Sequence, residues 1–188
     1  MNKQEEARHL MLEALKTAPP ASLFKDPIEY IFADHFRQRT LCSALNQIAE
    51  AEMIDVELAE AALEFLQKEF GPHVLDEEED LFPLLRLRAE AEDDINRVLD
   101  QLSEEHAADE ADANRIIALL EQLLRSGDLS VIDEEATELL ARFAANERQH
   151  LIVENAIVLP LARARLSEAD KQKLGKRMAA RRGLTSYG

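Results

Sequence analysis

Two stretches constrain this chain more than anything else in it: "HVLDEEEDLFPLL", residues 73–85, and "HLIVENAIVLPLA", residues 150–162. Each has a histidine, a glutamate four residues on, and a proline followed by leucine ten and eleven residues on. His73, Glu77, Pro83 and Leu84 thus match His150, Glu154, Pro160 and Leu161. A run of acids usually marks a solvated face or a disordered tail, but here apolar residues close in on both sides. One HxxxE is common, whereas two with the same proline offset indicate a repeated unit.

The residues around the two copies read as helix. Asp26-Pro27 is an N-cap followed by proline at the first helical position, and Ile28, Ile31, Phe32, His35, Leu41, Cys42, Leu45 and Ile48 recur at helical spacing. This predicts helix A over about 27–51. Helix B starts near Asp55 and resumes beyond Gly71-Pro72, which predicts one long helix kinked at Pro72. Helix C spans about 92–126, closed by the glycine of "SGD", and helix D about 130–166. Shorter helices are expected at about 3–17 and 167–182, the second opened by Ser167 with Glu168 and Asp170 behind it. No segment alternates with period two. The expectation is an all-α protein: an antiparallel up-down four-helix bundle with additional terminal helices, one domain over 1–188 with its core at about 27–166.

Composition supports this and excludes other classes. Five glycines and six prolines among 188 residues are few for a loop-rich chain. The absence of any run of eighteen apolar residues predicts no membrane span, and the N-terminus lacks the pattern of a signal peptide. A single cysteine, Cys42, leaves no internal disulfide and suits a reducing cytoplasm, the expected location. The net charge of −16 argues against nucleic acid as a partner. From Arg163 onward eight Lys/Arg face two acids, which reads as an ordinary terminal helix.

Apart from His9, one histidine falls on each long helix: His35, His73, His106 and His150. His35 and His106 each follow an acid, Asp34 and Glu105, while His73 and His150 each carry a glutamate at i+4, on the same helix face. A lone helical histidine is more often a core or surface residue than a ligand. Four singly placed ones with two matched glutamates are harder to dismiss, because buried carboxylates cost several kcal/mol (about 3–5 when a partner is missing) unless paired or bound to metal. Glu154 lies in the apolar sleeve "LIVENAIVL". Imidazole with carboxylate suits first-row transition metals, and the cysteine-rich cage of structural zinc is absent. The ferritin-type pattern of two Glu-x-x-His motifs fails, since only "ERQH" (Glu147 to His150) fits it.

On "DHFRQR", "HVLDEEEDLFPLL", "EHAADE" and "HLIVENAIVLPLA", in that order, the chain resembles the hemerythrin family in its bacterial branch, the HHE cation-binding domains. The resemblance covers about residues 27–166. It implies a four-helix bundle around iron, two per chain, in an oxo-, hydroxo- or carboxylate-bridged centre able to bind dioxygen. Carried over, His35 and His73 hold one iron, His106 and His150 the other, and Glu77 and Glu154 bridge, with Glu78 as the alternative to Glu77. Oxygen carriers of the family place a further histidine four residues after the helix C ligand. Here that position is Glu110, either a seventh ligand or a solvated acid beside Asp109 and Asp112. Their last carboxylate comes five residues after the helix D histidine, where this chain has Asn155.

The resemblance implies a non-haem di-iron protein that binds or reduces dioxygen, peroxide or nitric oxide. The alternative is an iron-responsive sensor or iron-storage module without turnover, and a metal-free interaction bundle is the third reading. Whether the protein is an enzyme stays open at this point. The partner expected is a small diatomic or peroxide ligand, with neither nucleic acid nor membrane, and a homodimer is conceivable. Cys42 and Tyr30 share helix A with His35; each reads either as core packing or as a residue lining the site.

Overall fold

Asp26 ends a 3₁₀ turn, Ala21–Lys25, and the proline after it starts a helix that runs without a break from Pro27 to Ala49. In the computed structural model, which describes residues 3–185, the remaining chain is built the same way: helices separated by short capped turns, with no strand among the described residues. The ends of the expected domain, residues 1–2 and 186–188, lie outside the described residues. The helices are α1 (Lys3–Lys16), α2 (Pro27–Ala49), α3 (Val56–Phe65), α4 (Gly71–Asp76), α5 (Phe82–Arg88), α6 (Ile95–Ser126), α7 (Glu134–Val153), α8 (Leu159–Arg165) and α9 (Glu168–Arg181). The all-α class is the expected one. No helix among the described residues is long and apolar enough to cross a membrane.

Several boundaries follow from caps. Asp55 opens α3 by accepting from the Leu58 N–H at 3.1 Å, and Asp133 opens α7 by accepting from the Ala136 N–H at 2.9 Å. Gly127, at φ 63°, closes α6 in the left-handed conformation that glycine adopts without steric cost. Helix C starts later than expected, at Ile95. A 3₁₀ turn with a reciprocal Glu90/Asp93 cap and a left-handed Asp94 precede it. Helix D likewise starts at Glu134 and not near 130, because Asp128 caps a separate 3₁₀ turn, Leu129–Val131.

The single long run expected around Pro72 is present. The chain stays helical from Val56 to Arg88, but with π-helical turns at Leu66–Phe70 and Glu77–Leu81, and a third lies at Glu154–Val158. Each ends two residues before a proline: Pro72, Pro83 and Pro160. A proline ring in an α-helix clashes with the carbonyl four residues back and offers no N–H. The wider i→i+5 turn makes room for that ring.

The chain divides into two compact units, and all four long helical runs contribute a segment to each. The first takes the described residues up to 18, with 36–70 and 108–149. There α1 packs on α3, held by a fork from Arg8 to Asp55 at 2.5 and 2.7 Å. Arg37, almost fully buried, donates to the carbonyls of Ala14 and Leu15 and lies over the Phe65 ring. Leu41, Leu45, Phe65, Leu120 and Phe143 are among its buried residues.

The second unit takes residues 19–35, 71–107 and the described residues from 150 onward. Its core joins Phe24, Ile28, Tyr30, Leu81, Phe82, Leu99, Val158, Leu174 and Met178 among others. Tyr30 stacks on Phe24 with centroids 4.2 Å apart, which makes it a core aromatic. The last helix, α9, lies so close to the turn at Phe24 that only glycine fits at position 175. A Cβ there would fall 1.9 Å from the Phe24 carbonyl oxygen.

Candidate metal centre

Within the second unit four helical segments converge on one point. α2 brings His35; α4 and the π turn behind it bring His73 and Glu77; α6 brings His106; and α7 with its π turn brings His150 and Glu154. All six are buried, with Glu77 and Glu154 at 0 % exposure. They form two overlapping groups, His35–His73–Glu77–Glu154 and His106–His150–Glu77–Glu154. In each group, one potential ligand atom from each residue lies within 4.8 Å of all the others.

The imidazoles are oriented alike. His35 Nε2 lies 3.5 Å from Glu77 and 3.4 Å from Glu154. His73 and His106 each place Nε2 3.3 Å from Glu77 Oε2, and His150 places Nε2 3.1 Å from Glu154 Oε1. Every Nδ1 is engaged on the far side: His35 with Asn155 Oδ1 at 3.0 Å, His73 with Asp34 at 3.1 Å, His106 with Glu78 at 2.6 Å and His150 with Glu105 at 3.0 Å. An oxygen acceptor at Nδ1 fixes the tautomer that leaves the Nε2 lone pair pointing inward, the arrangement found in histidine metal ligands.

These partners obey the same repeat as the ligands. Asp34 and Glu105 each precede a histidine of the set and each holds the histidine of the next helical run. Glu78 and Asn155 each stand five residues after the histidine of an HxxxE. Sequence reasoning noted the acids before His35 and His106, but not their role. Glu78 falls outside both groups and braces His106 from behind, while Ser103 donates to its other oxygen at 2.9 Å.

The charges explain why such a cluster needs cations. Both oxygens of Glu77 and both of Glu154 are buried, and what faces them is imidazole Nε2 at 3.1–3.5 Å. Two carboxylates in that condition are tolerated only with positive charge between them. In the metal-free protein, protons on the imidazoles supply it. Burial by itself lowers His106, but hydrogen bonds to Glu77 and Glu78 outweigh it and raise the ring to about 9. Burial also opposes the charge on His73, yet Glu77 and Asp34 hold it well above the ordinary imidazole range. Glu77, penalised by burial, is still held well below the carboxylate range, chiefly by the charge of His73 and bonds from three imidazoles. Cations bound between the carboxylates meet the same demand, with displacement of those protons.

Glu110 is not part of this. It is exposed and belongs to neither group. The buried stripe of α6 runs Leu102, His106, Asp109, Ala113, Ile116, so after His106 it steps by three to Asp109, not by four to Glu110. Cys42 is buried in the other unit and belongs to neither group. Burial pushes its thiol up to about 12. His9 is exposed.

Comparison with protein families gives a match to the Hemerythrin HHE cation binding domain over residues 26–162. The chain belongs to the hemerythrin HHE family. None of the curated proteins compared with it matches significantly. The span takes in every residue of the two His/Glu groups, so this HHE domain is a cation-binding domain whose buried histidines and glutamates are able to hold metal.

Proposed function

We propose that this HHE domain is a non-haem di-iron protein that binds and reduces a small oxidant, dioxygen, peroxide or nitric oxide. One observation carries the reading. Two buried His₂ sets share the same two carboxylates, and these have no other partner. Imidazole–carboxylate sets that leave positions open are characteristic of iron sites that activate oxygen species. When bound, a pair of irons would supply the electrons and the open coordination positions.

The chain's own residues do the rest. Nε2 of His35 and His73 would hold one iron, Nε2 of His106 and His150 the other, and Glu77 and Glu154 would span both. Asn155, Asp34, Glu78 and Glu105 keep each ring in the ligating tautomer. Phe82, fully buried and stacked on His106 at 5.8 Å, keeps water from that ring's face. With Glu110 outside the site, each iron would be held by two imidazoles and the two shared carboxylates, leaving positions open for a small oxidant.

The test is anaerobic loading with ferrous iron, elemental analysis, then stopped-flow mixing with dioxygen, hydrogen peroxide and nitric oxide in turn. About two irons per chain and rapid oxidation by at least one of the three are expected. One equivalent of zinc that iron does not replace would sink the di-iron reading.

A second reading, an iron-responsive module, has its own observation. Arg177 and Arg181 of α9, with Arg182 just beyond it, pair with Asp76 and Asp80, which stand on either side of Glu77 on its helical run. Metal at Glu77 would then be felt by α9. Amide exchange in α9 that changes between metal-free and metal-loaded protein supports it, and unchanged exchange removes it.

A further inference from the structure

The two-fold repeat of the site is broken at one pair of positions. Asp34 matches Glu105, His35 matches His106, His73 matches His150, and Glu77 matches Glu154. The fifth pair does not match in charge: Glu78 accepts from His106 Nδ1 at 2.6 Å, whereas Asn155 accepts from His35 Nδ1 at 3.0 Å. The set His106–His150 is therefore backed by two carboxylates, Glu78 and Glu105. The set His35–His73 is backed by one carboxylate, Asp34, and one neutral amide.

We infer that the two metal positions are chemically unequal, that the His106–His150 position fills first, and that Glu78 and Asn155 set the difference. The inference rests on the metal reading above and says which half of the site holds its cation more tightly. A carboxylate at Nδ1 draws the ring proton toward itself and makes Nε2 a stronger donor, which an amide carbonyl does less. The Glu78 bond is the shortest of the four and is clamped from the other side by Ser103. Asn155 cannot be supplying charge by another route, since its Nδ2 is buried without a partner. Asp34 is more deeply buried than Glu105, so the Asp34/Glu105 pair does not disadvantage His35–His73. The difference lies at the fifth pair.

Two isosteric substitutions reverse the asymmetry from either side. Glu78→Gln leaves an oxygen in place and removes the charge, and Asn155→Asp adds charge with no change of shape. The experiment is titration of the metal-free full chain with cobalt(II), followed by absorption and by calorimetry. Wild type is expected to take up cobalt in two steps separated about ten-fold or more in affinity, the range for changes in such outer partners. Glu78→Gln should weaken the tight step about 10–100-fold and leave the weak one in place. Asn155→Asp should tighten the weak step so that the two converge. Thermal unfolding of the metal-free variants reports whether either change is merely structural. Two equal steps in wild type, or a Glu78→Gln loss that falls on the weak step, would overturn the inference. A wild type that takes up no cobalt, or whose uptake survives Glu77→Gln with Glu154→Gln, would overturn the metal reading itself.

Discussion

The backbone N–H of Leu159 donates to the carbonyl of Glu154, five residues back. Phe82 does the same to Glu77, so each shared carboxylate sits at the start of a turn one residue wider than α-helix. The proline six residues after each glutamate holds that turn open. Replacing Pro83 or Pro160 by alanine restores an N–H and removes the ring that obstructs an α-helical turn, worth up to about 3 kcal/mol in a helix interior. The expected outcome is cobalt affinity lowered about ten-fold or more, with the metal-free protein no less stable to heat. Metal affinity unchanged in both variants would mean that packing alone sets the turn.

The carboxylates should separate cleanly by position. Glu77→Gln and Glu154→Gln each remove charge from both metal groups and are expected to lose most bound iron. Glu110→Ala and Glu79→Ala change exposed or half-exposed acids outside the groups and should keep it. Elemental analysis after anaerobic loading decides the matter. An Glu110→Ala protein that comes out with half the iron would return that residue to the site.

Gly175 marks where α9 docks. Its Cβ-less surface lets the helix approach the Phe24 carbonyl, and Gly175→Ala would drive a methyl group into that carbonyl oxygen. Overpacking of this kind costs about 1–3 kcal/mol or more, despite alanine's better helix propensity. Thermal melting should show a clear loss, and Lys176→Ala, on an exposed neighbouring position, should show little.

Acid should weaken the unit that holds the site through Asp170. Arg88 forks onto this carboxylate with two contacts of 2.9 Å, and Ser167 adds a third at 2.6 Å. Arg88 first, then Ser167, holds the group well below its ordinary value of 3.8. A carboxylate depressed in the folded state stabilises the fold above its unfolded value and loses that contribution as pH falls through the folded one. Asp170→Asn should therefore melt a few degrees lower than wild type at neutral pH, with the gap closing well below pH 4. A gap that persists unchanged in acid would show that charge is not the cause.

The six residues that converge were legible in the sequence because both halves of the site repeat one spacing. His73 with Glu77 and His150 with Glu154 share a helix face by periodicity alone, and His35 and His106 complete the pattern. Caps at Asp26, Asp55, Ser167 and Gly127 placed several ends to within a residue or two, since each is a local hydrogen bond or a local φ. Near Ile95 and Glu134 the same logic missed by three or four residues, where short 3₁₀ turns intervene.

Only the tertiary structure decided the rest. Three and four residues beyond His106 lie about 60° and 40° to either side of it on an ideal helix, so spacing cannot choose between Asp109 and Glu110; packing buries the first and exposes the second. The proline offset was visible, but whether proline kinks a helix or widens a turn depends on what holds the two sides in register. The Nδ1 partners come from other helices: Glu78 for His106, Glu105 for His150, Asp34 for His73 and Asn155 for His35. A hydrogen bond between residues 28 to 120 positions apart leaves no trace in local spacing, because folding alone brings its ends together.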